Sequence, residues 1–340
     1  MTALSVSARA EDGTSLRPVP WQRMGWVTWR QHRATLAWVV VFLGALTVAM
    51  LLAGHQLHSA YTTAVAACQS GNSLTCPPAS VAFDGTNGFL ANGFILQAVP
   101  VLIGAFAGAP VLARELETGT FRYAWTLGVG RRRWTVAKLV PLAVTVTAGA
   151  GLLSLLFSWY YQPLFTDGNS IPLDPALFSQ RGVAYAAWTL VAVAIGALAG
   201  MLIRRVVPAM AATLAAYLAL ALLPGLWLRQ HYLPAVHTTS NNVPGFAWIL
   251  DQWYTKGGKF AFQGVQKSGT NAAIEQHWCP NAPPSWSLGE CLSHHGYTQW
   301  TSYQPVTRFW PFQWIEAGWL LVLAALLIAA TVWLVRRRAT

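Results

Sequence analysis

Charge is what this sequence has least of. Only 10% of its 340 residues are Asp, Glu, Lys or Arg, against about 25% in an ordinary soluble domain, so a soluble globular core is not what the chain encodes. Catalytic patterns are missing as well. There is no H-E-x-x-H, no G-x-S-x-G and no pair of acidic residues on one helical face within an apolar run, so no catalytic or metal-binding residue is assigned. The phosphate-cradling pattern G-x-x-x-x-G-K-[ST] is absent, and "GGKFAFQG" (Gly257 to Gly264) lacks the strand-to-helix context such a loop requires. ATP hydrolysis by that route is therefore excluded, and an ATP-driven role would need another polypeptide. No internal repeat points to the fused inverted halves of many secondary carriers. No basic domain stands apart from the apolar runs, which argues against a nucleic-acid partner.

What the chain has in abundance is apolar length. Hydrophobic residues make up 54% and the mean hydropathy is +0.40. A bilayer crossing takes ~20 mostly apolar residues. Six stretches qualify, at about 35–54, 89–113, 139–160, 183–203, 206–228 and 314–335. They read as helices, because lipid leaves each backbone polar group to be satisfied within its own segment. The expected fold class is thus an all-α polytopic membrane protein with six transmembrane helices. No secretory signal is evident ahead of the first span, which is expected to remain as an anchor.

Basic residues set the orientation. Sixteen of the 22 Lys and Arg side chains fall on one side if the N-terminus is cytoplasmic: Arg9 to Arg33, Arg114 to Lys138, Arg204 and Arg205, and Arg336 to Arg338. The positive-inside rule then places both termini in the cytoplasm of a multi-pass plasma-membrane protein. A net charge of +11 and a pI near 9.9 fit attraction of these arginines to anionic membrane lipid. All four cysteines fall in outer segments, Cys68 and Cys76 in the first loop, Cys279 and Cys291 in the largest. That suits disulfides, with the within-loop pairings Cys68–Cys76 and Cys279–Cys291 preferred because they close the shortest loops. His277, Cys279, Cys291, His294 and His295 would alternatively supply zinc ligands, a reading placed below the disulfide.

The organisation expected from these signals is a tail and interfacial helix over 1–34, five spans over 35–228, an extracytoplasmic cap over 229–312, and a sixth span with a basic end over 313–340. Trp21, Trp26 and Trp29 alternate with Arg23, Arg30 and Arg33, which fits either a helix lying along the inner leaflet or a plain flank of the first span. The loops at 55–88 and 161–182 read as irregular connections. The cap is rich in tryptophan and reads as ordered, with a short helix near "PGFAWILDQWY" (Pro244 to Tyr254). "GAFAG" (Gly104 to Gly108) and "GALAG" (Gly196 to Gly200) let helix backbones approach closely, either at a dimer seam or, preferably, within the chain. Glu316, a turn inside the last span, is expected to be an interfacial anchor.

The scarce charge is concentrated in one place. "ARELETGTFRYAWTLGVGRRRW", residues 113 to 134, holds seven charged side chains. A helix of ~10 residues within 113–127 would be ~15 Å long, with Leu116, Thr120, Tyr123 and Leu127 on one face and Arg114, Glu115, Glu117 and Arg122 elsewhere. Acidic residues contribute nothing to orientation, so Glu115 and Glu117 suggest a docking surface for a cytoplasmic partner.

This stretch resembles the signature between the second and third spans of ABC-2 type transporter permeases, particularly those of high-GC Gram-positive bacteria. Glu117, Gly119 and Thr120 match an E-x-G-T element, Ala124 to Thr126 an A-W-T, and Arg131, Arg133, Trp134 and Lys138 a basic element entering the next span. Leu127 departs from the Gln that follows A-W-T in that pattern, and "WRQHR" (Trp29 to Arg33) is also similar. The resemblance implies a type V ABC exporter-like permease subunit with a coupling helix at 114–130, which forms a homodimer and docks a separate ABC ATPase that binds ATP and Mg²⁺. It implies coupling roles for Glu115, Glu117, Gly119, Thr120, Arg122, Arg131 and Arg133. It also implies a substrate path past Phe94, Gln97, Phe106, Met210 and Tyr217, with an apolar or amphipathic cargo and no cofactor in this chain. The competing readings are an ABC-coupled signalling or mechanotransmitting protein and a standalone secondary carrier.

Overall fold

A computed structural model describes residues 21–69, 94–120, 130–166, 171–239, 243–264 and 288–338. Six helices in it are long and apolar enough to cross a membrane, as the hydropathy pattern requires. The first, α1 (Trp21–Gln69), is one unbroken helix of 49 residues, about 74 Å at 1.5 Å per residue. It therefore outruns a hydrocarbon core of ~30 Å. The Trp-Arg stretch runs straight into the span with no turn between them, as in the plain-flank reading, since no proline interrupts it. One expectation changes. The connection expected from residue 55 onward begins as helix, α1 running on to Gln69, with Ser59, Thr62 and Thr63 returning their hydroxyls to carbonyls one turn back. His58 also stacks on Trp159 at 4.7 Å and bonds that residue's carbonyl oxygen.

The second span comprises α2 (Phe94–Ile103), a π-helical turn (Gly104–Gly108) and α3 (Pro110–Thr118). The third is α4 (Arg131–Tyr160), followed by the short helices α5 (Gln162–Thr166) and α6 (Pro175–Phe178). Asp174 caps α6 by accepting from the Ala176 N–H. The fourth span, α7 (Gly182–Ile203), is the hub, packed against the second, third, fifth and sixth. The fifth is α8 (Val206–Leu223), extended by a second π-turn (Pro224–Leu228) and a 3-10 turn (Arg229–His231).

The two small-residue patterns meet within the chain. A Cβ on Gly196 would lie 2.3 Å from the Gly104 carbonyl oxygen, and one on Gly104 would lie 2.6 Å from the Ala192 carbonyl oxygen. Backbone cannot yield as a side chain tip can, so only glycine allows the second and fourth spans this close. Gly196→Leu is accordingly expected to cost at least the ~1–3 kcal/mol typical of overpacking, visible as a smaller monodisperse fraction of detergent-purified protein and a lower Tm. Unchanged values for both would show that the crossing is not as tight as these distances state.

Between the fifth and sixth spans the chain departs from an all-helical plan. β1 (Val236–Thr239), β2 (Trp248–Lys256), β3 (Lys259–Gly264) and β4 (Tyr297–Gln304) form an antiparallel sheet in the order β1-β4-β2-β3. The helix expected near Trp248 to Tyr254 is thus a strand. Its aromatic and aliphatic residues pair along β4, Trp253 opposite Trp300, and the indoles stack within 10° of parallel. Gly257 and Gly258, both with positive φ, make the two-residue turn into β3 that tight hairpins favour. Helix α9 (Leu288–His294) covers one end of the sheet with buried Cys291 and Leu292 against Tyr254 and Phe262. Cys291 is disulfide-bonded, which removes its sulfur as a zinc thiolate. The other three cysteine side chains, with His277, lie outside the described residues. The sixth span, α10 (Phe309–Arg338), follows.

Candidate coupling site and buried ion pair

The spans alternate in direction, which gathers Arg131 to Arg133, Arg204, Arg205 and Arg336 to Arg338 at one end of the bundle and the sheet at the other. At the basic end the second span stops at Thr118, because Gly119 takes a left-handed φ of 71°, the usual helix C-terminal role of glycine. Of the helix expected within 113–127, residues 113–118 continue the second span as its last turns, and residues 121–127 lie outside the described residues. Arg114, Glu115 and Glu117 ride on the last turns of the second span, and Thr120 sits in the turn beyond, its hydroxyl 3.1 Å from that of Thr118. Arg122, Tyr123 and Leu127 fall outside the described residues.

Both carboxylates already have partners. Glu115 pairs with Lys138, whose ammonium is buried and lies 4.5 Å from the Trp134 ring centre. Glu117 accepts a 2.9 Å hydrogen bond from the Val206 N–H, the first residue of the fifth span. The four leading N–H groups of a helix have no partner in the helix and carry partial positive charge. Arg204, at a φ of 58°, turns the chain sharply enough to present that terminus to Glu117. Arg131 completes the set by donating to the Arg336 carbonyl oxygen at 3.2 Å, while Arg133 is half-buried and Arg132 exposed. The end of the second span is thereby tied to the third and the fifth, and the third to the sixth.

At the sheet end lies a site that sequence reasoning missed. Glu316 is fully buried, not an interfacial anchor. Its carboxylate accepts from Arg229 Nη2 at 2.7 Å and Nε at 2.8 Å, from Trp188 Nε1 at 2.7 Å and from the Tyr232 hydroxyl at 3.3 Å. Arg229 also donates to the Pro175 carbonyl oxygen and to Ser179 Oγ, and lies 4.7 Å from the Phe178 ring centre. Burial, and then the nearby carboxylate, push the Tyr232 hydroxyl above its ordinary pKa. Four elements converge on this pair, and the bidentate fork suits arginine in a way lysine cannot match. Arg229 reads from the sequence as the first residue of the cap, and its position along the chain gives no sign that it pairs with a residue 87 positions away.

Residues 40–229 match the family model described as ABC-2 membrane transporter related, which is more than half of the chain. The chain belongs to that family. No curated protein and no solved structure matches it. Family membership carries a multi-pass membrane subunit that ordinarily pairs with a separate ABC ATPase. The matched region of this ABC-2 chain includes Glu115, Glu117, Lys138, Trp188 and Arg229, and stops short of Glu316 and the sheet.

The path residues implied by the resemblance separate in the ABC-2 fold. Gln97 and Phe106 are exposed on the second span and Met210 is half-exposed on the fifth. Tyr217 turns inward, edge-on to Trp188 at 5.6 Å, in the packing between the fourth and fifth spans. The Phe94 side chain lies outside the described residues.

Proposed function

We propose that the chain is the membrane-spanning subunit of an ATP-driven exporter, working as a pair of identical copies with a separate ATPase docked at the basic, cytoplasmic end. The observation that carries this reading is the Glu117 contact with Val206, since it joins the last turn of the second span, where the coupling segment begins, to the start of the fifth. A push on that segment reaches the transmembrane helices directly. Glu115, Gly119, Thr120, Arg122, Arg131 and Arg133 are assigned to the same coupling region. Gln97, Phe106 and Met210 are assigned to a path for apolar or amphipathic cargo, because neither the second nor the fifth span presents a charge along its middle. On this orientation the sheet faces the exterior, where Cys279 is the preferred partner of Cys291; peptide mapping without reduction distinguishes that pairing from a bond to Cys68 or Cys76.

The test is reconstitution of the permease with its ATPase in lipid vesicles, following a lipophilic fluorescent dye. ATP-dependent dye movement that requires both chains supports export. A permease that moves dye without any ATPase overturns the reading. ATP hydrolysis stimulated by the permease without movement of dye favours a mechanotransmitting role instead, a reading supported by the ordered sheet held to the bundle through Gln304 and Arg308, which donate to the Leu233 and Pro234 carbonyl oxygens.

A further inference from the structure

The fifth span is held differently from its neighbours. Only 17% of its apolar window is buried, against 67% in the second span and 61% in the fourth. Its buried residues Ala209, Thr213 and Tyr217 recur once per turn, a single narrow stripe against the rest of the bundle. Val207 and Leu226, near its two ends, are 74% and 73% exposed. Lipid removes the hydrophobic drive for helices to associate and leaves packing and polar bonds, so beside this narrow packed stripe the polar contacts at the ends carry much of how the helix is fixed.

The two ends are unequal. At the basic end one exposed carboxylate takes one backbone N–H. At the sheet end Arg229 is 3% exposed and its donors reach Glu316, Ser179 and the Pro175 carbonyl oxygen. Breaking a buried, fully bonded ion pair leaves an uncompensated charge out of water, which costs several times more than releasing a helix-terminal contact at a surface. Between clamp and shaft lies a weak point. Pro224 has no N–H to return to the preceding turn, the Arg229 N–H reaches back five residues to the Pro224 carbonyl oxygen, and a side chain on Gly225 would meet nothing within 4 Å. Kinks and π-turns of this kind are where helices bend.

We propose that the fifth span is a cantilever: clamped at its sheet end by Arg229 and Glu316, hinged at Pro224–Leu228, and driven at Val206 by Glu117. This rests on the ABC-2 coupling reading above, and it makes Arg229 and Glu316 positioning residues whose task is to stay still while the opposite end of the helix moves.

The experiment uses the full permease with its ATPase in vesicles and spin labels introduced as unnatural amino acids, which leaves the cysteines untouched. One labelled pair, Val207 with Val140, reports the basic end; the other, Leu226 with Trp314, reports the sheet end. Between nucleotide-free and ATP-trapped states the first distance is expected to change by about a helical turn, ~5 Å, and the second by less than ~2 Å. Pro224→Leu, which restores the missing N–H, is expected to at least halve the change at Val207, and Arg229→Lys to spread the change to the Leu226 pair. Equal changes at both pairs in the unsubstituted protein, or none at either while the permease still stimulates ATP hydrolysis, would overturn the cantilever and leave the exporter reading standing. Absence of stimulation together with absence of movement overturns both.

Discussion

Glu316→Leu is expected to remove most folded protein from the membrane, while Arg229→Leu/Glu316→Leu recovers part of it. The single change strands a guanidinium with 3% exposure and deprives the Trp188 indole and Tyr232 hydroxyl of their acceptor. Removing one partner of a buried pair costs about 3–5 kcal/mol, whereas replacing both with apolar groups is often close to neutral. Recovery should be incomplete here, because Ser179 and the Pro175 carbonyl lose their donor in the double variant. Thermal unfolding in detergent, with the yield of monodisperse protein, reads the difference. A single variant as stable as the parent would mean that water reaches Glu316 and the pair is not sealed.

Glu117→Arg is expected to have the opposite profile, with a large functional loss and little loss of stability. Glu117 is exposed, and a carboxylate at an exposed helix N-terminus contributes about 0.3–1 kcal/mol. Reversing its charge sets a cation against the positive end of the fifth span and beside Arg204 and Arg205. ATP-dependent dye movement should fall at least about tenfold, the equivalent of ~1.4 kcal/mol in coupling, while Tm stays within ~2 °C of the parent. Glu117→Gln keeps an acceptor for the Val206 N–H and should retain much of the activity. Equal transport by parent and Glu117→Arg would remove this residue from the coupling path. A charge reversal that instead unfolds the protein would assign Glu117 to structure alone.

The spans were legible because each is a long apolar run that only a helix can carry through lipid, and the close approach of Gly104 and Gly196 was foreshadowed by small residues four apart. The limits of legibility are equally physical. The face drawn through Leu116 and Thr120 runs across Gly119, whose αL backbone ends the helix at Thr118 and overrides that periodicity. The hairpin turn is two adjacent glycines between aromatic runs, Gly257 and Gly258, a composition that glycine-rich nucleotide loops share. The docking surface inferred from Glu115 and Glu117 could not reveal that both carboxylates are engaged within the chain, because Lys138 and Val206 come close only once the third and fifth spans are in place. Glu316 is the extreme case: its counter-charge follows an uninterrupted apolar run and reads as the start of a loop.

The Arg229–Glu316 bond also bears on how freely the molecule can be recombined. Its basic member is the final residue of the region shared with the ABC-2 family, and its acidic member lies beyond the sheet in the last helix. A chimera that grafts another relative's closing helix onto this body inherits a stranded guanidinium unless the graft brings a carboxylate at the same level. The smallest exchangeable module is therefore longer than the stretch that matches the family model, and shuffling of parts must respect a seam that no boundary drawn along the chain would mark.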